Sequence, residues 1–290
     1  MTDPRRIAIA SGKGGTGKTT VAVNLAAAVS AAGVGAAYLD CDVEEPNGAL
    51  YLRPELTSQR PVYREVPSVD PARCNQCGLC GKICRFSAIV PLESSVMTFP
   101  ELCHSCRACS YVCPTGAIRE QSQPIGRIRR GQAGTIHFLD GLLDIGQAMA
   151  PPVIRAVRRE PVDAEVVILD APPGTSCPAV ETLYGVDMVV LVAEPTPFSL
   201  HDLTLAVEMV RARSVPAAVV VNRADGDDSV LRYCRQEGLE ILAEIPLSRE
   251  AAEVGSRGQL LFEQIDGMAE IFQHLADRIL LSASNSKSEV

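Results

Sequence analysis

Eight of the eleven cysteines fall into two runs of one spacing, Cys74-x-x-Cys77-x-x-Cys80-x-x-x-Cys84 and Cys103-x-x-Cys106-x-x-Cys109-x-x-x-Cys113. Equivalent positions are offset by 29 residues, and Ala88-Ile89 after the first run returns as Ala117-Ile118 after the second, so the segment is an internal repeat. Three thiolates on a tight turn with a fourth further along is the spacing that wraps backbone around a cubane cluster, and two runs predict two [4Fe-4S] clusters. Structural zinc and disulfides are the alternatives. Zinc sites use pairs of short Cys-x-x-Cys hooks rather than this triple spacing.

A second set of reactive residues lies near the N-terminus. Residues 6–10 read as a short buried strand that runs directly into Gly12-Lys13-Gly14-Gly15-Thr16-Gly17-Lys18-Thr19-Thr20, and residues 21–32 read as a helix. This is Gly-x-x-x-x-Gly-Lys-Thr in the strand, loop, helix context that the motif requires. Glycines let backbone N–H groups close around phosphate oxygens, the helix N-terminus adds its positive end, and Lys18 reaches the β- and γ-phosphates. Thr19 is expected to ligate Mg²⁺. A second strand, 36–39, ends at Asp40-Cys41-Asp42, where doubly wound sheets place ligand chemistry, with Cys41 read as a small packed residue. A later strand, 166–169, delivers Asp170 into Ala171-Pro172-Pro173-Gly174-Thr175, and strand 217–221 ends at Asn222-Arg223.

The cysteine segment closely resembles the two-cluster bacterial ferredoxins. In those proteins the fourth cysteine of each run ligates the other cluster. The resemblance implies one cluster on Cys74, Cys77, Cys80 and Cys113 and another on Cys103, Cys106, Cys109 and Cys84. The second run ends in Cys113-Pro114, as the bacterial pattern does. The first ends in Cys84-Arg85, a departure that alters the surroundings of one cluster and removes no ligand.

Lys13 makes the phosphate loop Lys-Gly-Gly-x-Gly-Lys-Thr-Thr. That form resembles the deviant Walker A loop of the septum-positioning and plasmid-partitioning ATPases, the Mrp-type iron–sulfur scaffolds and the nitrogenase iron protein. In that family the early lysine crosses a dimer interface onto the partner's nucleotide, so the resemblance implies a homodimer with ATP sandwiched between subunits. It implies that Lys13, Lys18 and Asp42 are catalytic, Asp42 by orienting the attacking water. Gly14, Gly15, Thr16, Gly17, Lys18, Thr19 and Thr20 would cradle the nucleotide. Asp40 would support the Mg²⁺ shell, Asp170 would hold Mg²⁺ through water, Pro172-Pro173-Gly174 would sense the γ-phosphate, and Asn222 would hydrogen-bond adenine. Residues 240–249 match the family's base-side loop. Cys177 follows Asp170 by the spacing at which the nitrogenase iron protein ligates a bridging cluster, and a packed thiol is the preferred reading here.

Strands alternating with helical stretches, including 227–237 and 249–257, define an α/β fold: a P-loop NTPase with a mostly parallel sheet flanked by helices. A small bacterial-ferredoxin-like domain is inserted in it. Pro54, Pro61, Pro67 and Pro71 before the repeat, and Pro124, Gly126, Gly131 and Gly134 after it, read as connecting segments. They set the insertion at 60–125, between ATPase parts 1–59 and 126–290. Over essentially its whole length the chain resembles an Mrp/MinD-superfamily ATPase carrying a two-cluster ferredoxin module. No Cys-x-x-Cys pair follows residue 113, the feature by which Mrp-type scaffolds hold a transferable cluster.

The 290 residues are 47% hydrophobic, carry a formal net charge of −8 and include no Trp. Eight cluster thiolates would add further negative charge, which disfavours a nucleic-acid partner. Arg127, Arg129 and Arg130, and Arg155, Arg158 and Arg159, read as solvated faces or a docking seam. The N-terminal apolar run is too short for a signal peptide, and no eighteen consecutive apolar residues occur, so the expectation is a cytoplasmic protein with no stable membrane anchor. Met268, Ile271, Phe272, Leu275 and Ile279 read as the stripe of a core-packing helix, and 282–290 as a frayed tail.

These features predict an ATP-binding and ATP-hydrolysing iron–sulfur protein that couples nucleotide state to electron transfer or to metal or Fe–S cofactor assembly, with a redox or cofactor-assembly protein as partner. Hydrolysis would be slow, Mg²⁺-dependent and dimer-dependent. The alternative is a redox-sensing positioning or regulatory ATPase switch that acts through partner binding.

Overall fold

The structure is a computed structural model and describes residues 3–285. Eleven strands are present among those residues: β1 (Arg5–Ala10), β2 (Ala36–Asp40), β3 (Glu55–Val69), β4 (Ile89–Pro91), β5 (Val96–Thr98), β6 (Ile118–Ala133), β7 (Ile136–Leu143), β8 (Val166–Asp170), β9 (Met188–Ala193), β10 (Ala217–Ala224) and β11 (Glu240–Pro246). Nine form one sheet in the order β11-β10-β9-β1-β8-β2-β7-β6-β3. From β11 to β7 every pairing is parallel, and β6 and β3 add an antiparallel edge.

The parallel strands are short apolar runs because both of their faces are covered. On one face Val21, Leu25 and Val29 of the helix Lys18–Ala31, with Phe272, Leu275 and Ile279 of the helix Met268–Asn285, pack on Ile7, Tyr38, Phe138, Ile168 and Val190. The C-terminal apolar stripe is thus core packing. Its helix runs into the start of the expected frayed tail, and residues 286–290 lie outside the described residues. On the other face Leu203, Val207 and Val210 cover β9 and β10, while Val153, Ile154 and Val157 cover β2, β7 and β8.

Of the residues expected in connecting segments, Pro54, Pro71 and Gly134 lie in connections, whereas Pro61 and Pro67 lie in β3 and Pro124, Gly126 and Gly131 in β6. Residues 60 and 125, the expected bounds of the insertion, lie inside β3 and β6. Pro61 and Pro67 fit because β3 is the edge strand, where a missing N–H goes unused. Pro124 sits beside a register shift between Val62 and Tyr63. Gly126 and Gly131 allow close backbone approach: a Cβ would lie 2.3 Å from the Leu142 carbonyl oxygen at the first and 2.4 Å from that of Glu55 at the second. Gly126→Ala is therefore expected to destabilise the fold by about 1–3 kcal/mol through overpacking. Urea unfolding checks it, and an unchanged midpoint would show that the ribbon shifts freely.

Only residues 126–133 of β6 pair with β7. Beyond them β3 and β6 continue as a two-stranded ribbon that carries the cysteine repeat at its outer end. The repeat is structural as well as sequential. Left-handed residues recur at the 29-residue offset as Gln76 and Ser105, Gly78 and Arg107, and Ser87 and Gly116. The short helices Leu79–Ile83 and Ala108–Tyr111 begin at equivalent positions.

Candidate functional site

The phosphate loop occupies the carboxyl end of β1, between β9 and β8. Gly15 and Gly17 adopt φ of 82° and 84°, which a side chain would strain, and a Cβ on Gly12 would lie 2.1 Å from the Asp202 carbonyl oxygen. The loop ends on the helix Lys18–Ala31, whose cap Gly17 provides no side-chain acceptor. The first-turn N–H groups therefore remain available to an anion. Thr19 and Thr20 stand half-buried in that first turn, and Gly14 is exposed.

Three neighbouring strands carry the same pair, at the ends of β2 (Leu39-Asp40) and β8 (Leu169-Asp170) and inside β7 (Leu139-Asp140), and the sheet register aligns the three aspartates in the order Asp140, Asp40, Asp170. All three are fully buried. Lys18, 7% exposed, places Nζ 2.7 Å from Asp170 Oδ1 and 4.0 Å from Asp42 Oδ2. Burial alone would depress the lysine, but Asp170, Asp42 and Asp40 outweigh it and hold the ammonium above its ordinary range. Burial, then the Asp170 charge, push the Asp40 carboxyl well up, although Gly48 N–H donates to it at 2.9 Å. Asp42 is pushed up to about 6, chiefly by burial, against the pull of Lys18.

Two members of this network carry no motif. The Tyr38 hydroxyl, fully buried, donates to Asp170 Oδ2 at 3.0 Å and lies 3.4 Å from Asp40 Oδ2. Asp140 accepts both arms of the Arg129 guanidinium, which also feels the Asp40 charge. The threefold Leu-Asp pair was the available signal for Asp140; Tyr38 stands out only as a polar tip among the apolar residues that precede Asp40.

Lys13 lies 4.0 Å from Glu194, which also accepts from Arg223. Asn222 donates to the Thr16 carbonyl at 2.7 Å and fills the space where a Gly17 Cβ would stand. It borders a cavity with Thr20, Tyr51, Ile245, Pro246 and Ser248, so the base-side stretch and the phosphate loop share one opening. A second cavity brings Asp42 and Glu44 together with Pro172, Pro173, Ala150 and Ile154. Cys41 is packed as expected, whereas Cys177 is exposed at the first residue of the helix Cys177–Thr182, where the chain leaves the 172–174 turn. The arginine patches are largely ion-paired: Arg127 with Asp144, Arg129 with Asp140, and Arg155 and Arg158 with Glu181.

The eight repeat cysteines line two separate cavities. Cys84, Cys103, Cys106 and Cys109 line one; Cys74, Cys77, Cys80 and Cys113 line the other. Each quartet takes three cysteines from one run and the last from the other. All eleven cysteines are free thiols. Backbone N–H groups of Gln76 and Ser105 reach Cys74 and Cys103 sulfur at 3.4 Å, another equivalent pair in the repeat.

A phosphate loop closing a strand-to-helix junction in a helix-covered parallel sheet defines the P-loop NTPase class. Within it the chain belongs to the CobQ/CobB/MinD/ParA nucleotide binding domain family, matched over residues 7–262. An uncharacterized protein of Methanocaldococcus jannaschii is 31% identical over 221 residues, covering 75% of this chain and 78% of that one. An iron-sulfur cluster carrier protein of Pyrococcus horikoshii is 26% identical over 307 residues, covering 98% of this chain and 88% of its own length. The fold is similar to that of the septum site-determining protein MinD complexed with Mg-ADP from Pyrococcus horikoshii, with a TM-score of 0.61, 19% identity, and coverage of 99% of this chain and 100% of that one. No helix among the described residues is long and apolar enough to cross a membrane.

Proposed function

We propose that the chain is a Mg²⁺-dependent ATPase, acting as a cytoplasmic homodimer, that couples nucleotide state to electron transfer or to metal or Fe–S cofactor assembly through two [4Fe-4S] clusters. The observation that carries this reading is the sorting of eight free thiols into two quartets around two cavities, in one chain with a complete phosphate loop. The donor sets fit the clusters. Each cavity is lined by four cysteines, the thiolate set that a cubane cluster takes. Cys74, Cys77, Cys80 and Cys113 would hold one cluster and Cys84, Cys103, Cys106 and Cys109 the other, supplying one-electron chemistry. Similarity to the iron-sulfur cluster carrier protein of Pyrococcus horikoshii supports an iron–sulfur role. A module of residues 60–125 would thus be the electron-carrying part of the protein.

On the nucleotide side, Gly14, Gly15, Thr16, Gly17, Lys18, Thr19 and Thr20 would bind ATP. Thr19, with Asp170 and Asp40 behind it, would hold Mg²⁺, and Asn222 would meet the base. Asp42 would orient the attacking water, since it sits beside Lys18 and outside the phosphate cradle. Asp42→Ala is accordingly expected to bind ATP within a fewfold of the parent and to hydrolyse it at least about tenfold more slowly, as filter binding and phosphate release would record. Equal loss of both would place Asp42 in the cradle instead. Lys13→Ala should keep monomer binding and lose ATP-dependent dimerisation, read by light scattering; ATP-dependent dimers of normal size in that variant would remove the sandwich.

The deciding experiment uses one anaerobically purified sample for metal analysis, EPR and ATP hydrolysis. About eight iron and about eight sulfide per chain, with slow Mg²⁺-dependent turnover, are expected. Zinc in place of iron in freshly isolated protein would overturn the reading.

A further inference from the structure

The two cysteine quartets obey one repeat but meet different surroundings. The quartet of Cys84, Cys103, Cys106 and Cys109 lies on the sheet side: Pro67 and Ala88 wall its cavity, and Cys103 packs with Val66. The other quartet lies against Val69 and Ile118, at the outer end of the ribbon. Phe86 and His104 stack 3.6 Å apart at the sheet-side cavity, where the repeat equivalents at the outer one are Thr115 and Asn75.

Arg64 adds a charge to this asymmetry. It is 4% exposed, and its guanidinium donates to the carbonyls of Cys103 at 3.1 Å and Pro100 at 2.8 Å and to Gln147 Oε1 at 3.1 Å. Its Nε–H has no acceptor among the described residues. At the outer quartet the nearby arginine, Arg73, is exposed and donates to the Thr115 carbonyl.

Gln147 belongs to the segment joining β7 to the helix Pro151–Arg158, and both ends of that segment touch the nucleotide side. Leu143 N–H donates to the Val43 carbonyl at 2.8 Å, next to Asp42. Ala150 and Ile154 line the cavity that also holds Asp42, Pro172 and Pro173. Asp42–Val43 and the proline turn are thus connected to Arg64 through one short segment and one hydrogen bond. A fixed cation beside a cluster favours its more negative, reduced state, so the position of Arg64 bears on its potential.

We infer that Arg64 is a positioning residue that ties the sheet-side quartet, and not the outer one, to the nucleotide site through Gln147. The inference rests on the proposed function, because it requires both clusters and bound nucleotide.

Full-length, anaerobically loaded protein is titrated with dithionite as the one-electron source and followed by EPR, with and without Mg²⁺ and a non-hydrolysable ATP analogue. In the parent the analogue shifts one of two midpoint potentials, that of the signal missing from Cys106→Ala. By reciprocity, oxidised and reduced parent differ at least about fivefold in analogue affinity. A tenfold difference corresponds to about 59 mV for one electron. Gln147→Ala keeps both clusters and loses most of the shift. Arg64→Gln lowers the sheet-side potential without nucleotide and leaves the other in place, and Arg64→Lys, which retains the charge, brings it back toward the parent. A parent with no shift, a shift confined to the outer signal, a shift that survives in Gln147→Ala, or an Arg64→Gln that moves both potentials alike overturns the inference. Should Arg64→Gln lose a cluster, loss of the same cluster in Arg64→Lys assigns Arg64 a role of shape and also overturns it. Parent protein lacking the two clusters or analogue binding overturns the proposed function itself, and that result appears before any variant is made.

Discussion

Lys18→Ala is expected to abolish ATP binding and to lower the stability of the nucleotide-free protein by about 3–5 kcal/mol, the typical loss when one partner of a buried ion pair is removed. The lysine is 7% exposed, and its ammonium is the cation set against Asp170 at 2.7 Å and Asp42 at 4.0 Å. Asp170 and Asp40 are fully buried, so truncation leaves a row of carboxylates beside the loop with its compensating charge gone. The same cation would meet the β- and γ-phosphates, which makes both losses arise from one atom. Calorimetric titration with MgATP and urea unfolding of one preparation would measure them together. A variant that binds ATP within tenfold of the parent, or unfolds at the same urea concentration, would show that the phosphate cradle and the aspartate row do not depend on Lys18.

Cys84→Ala and Cys113→Ala should each halve the iron content, from about eight to about four per chain, and each should remove the cluster built mainly from the other run. Cys84 lines the cavity of Cys103, Cys106 and Cys109, and Cys113 lines that of Cys74, Cys77 and Cys80. The EPR spectrum of reduced Cys84→Ala should therefore match that of Cys106→Ala, and the spectrum of Cys113→Ala that of Cys77→Ala. The opposite matching would assign each run its own cluster. Iron and sulfide analysis of the four variants separates a missing cluster from one that remains with altered ligation.

Much of this molecule was legible because its motifs carry their geometry locally. The 29-residue repeat reappears as paired left-handed residues, since a turn of three closely spaced cysteines constrains only its own backbone. The phosphate loop likewise needs φ values that its own glycines supply. Strands 36–39, 166–169 and 217–221 were readable because strands buried on both faces are short apolar runs, and the observed elements extend them by one to three residues. The ribbon was not legible. Its prolines and glycines carry the local signature of connectors, and only a position at the sheet edge, beside a register shift or against a neighbouring backbone turns them into strand residues. The packed-thiol reading of Cys177 failed for a related reason, because exposure depends on what else lies over the helix start.

The sequence by itself determined the residue types that could do chemistry and the spacing within each motif. Tertiary structure alone decided which motifs meet: Asp140 beside Asp40, Arg129 on Asp140, Glu194 on Lys13, and Arg64 between Cys103 and Gln147. The aspartate row and the Arg129 pair depend on sheet register, and the other contacts on which loops meet at the strand ends and along the ribbon. A register shift of one residue would turn the strand side chains among them to the opposite face, and nothing local to either partner records that choice.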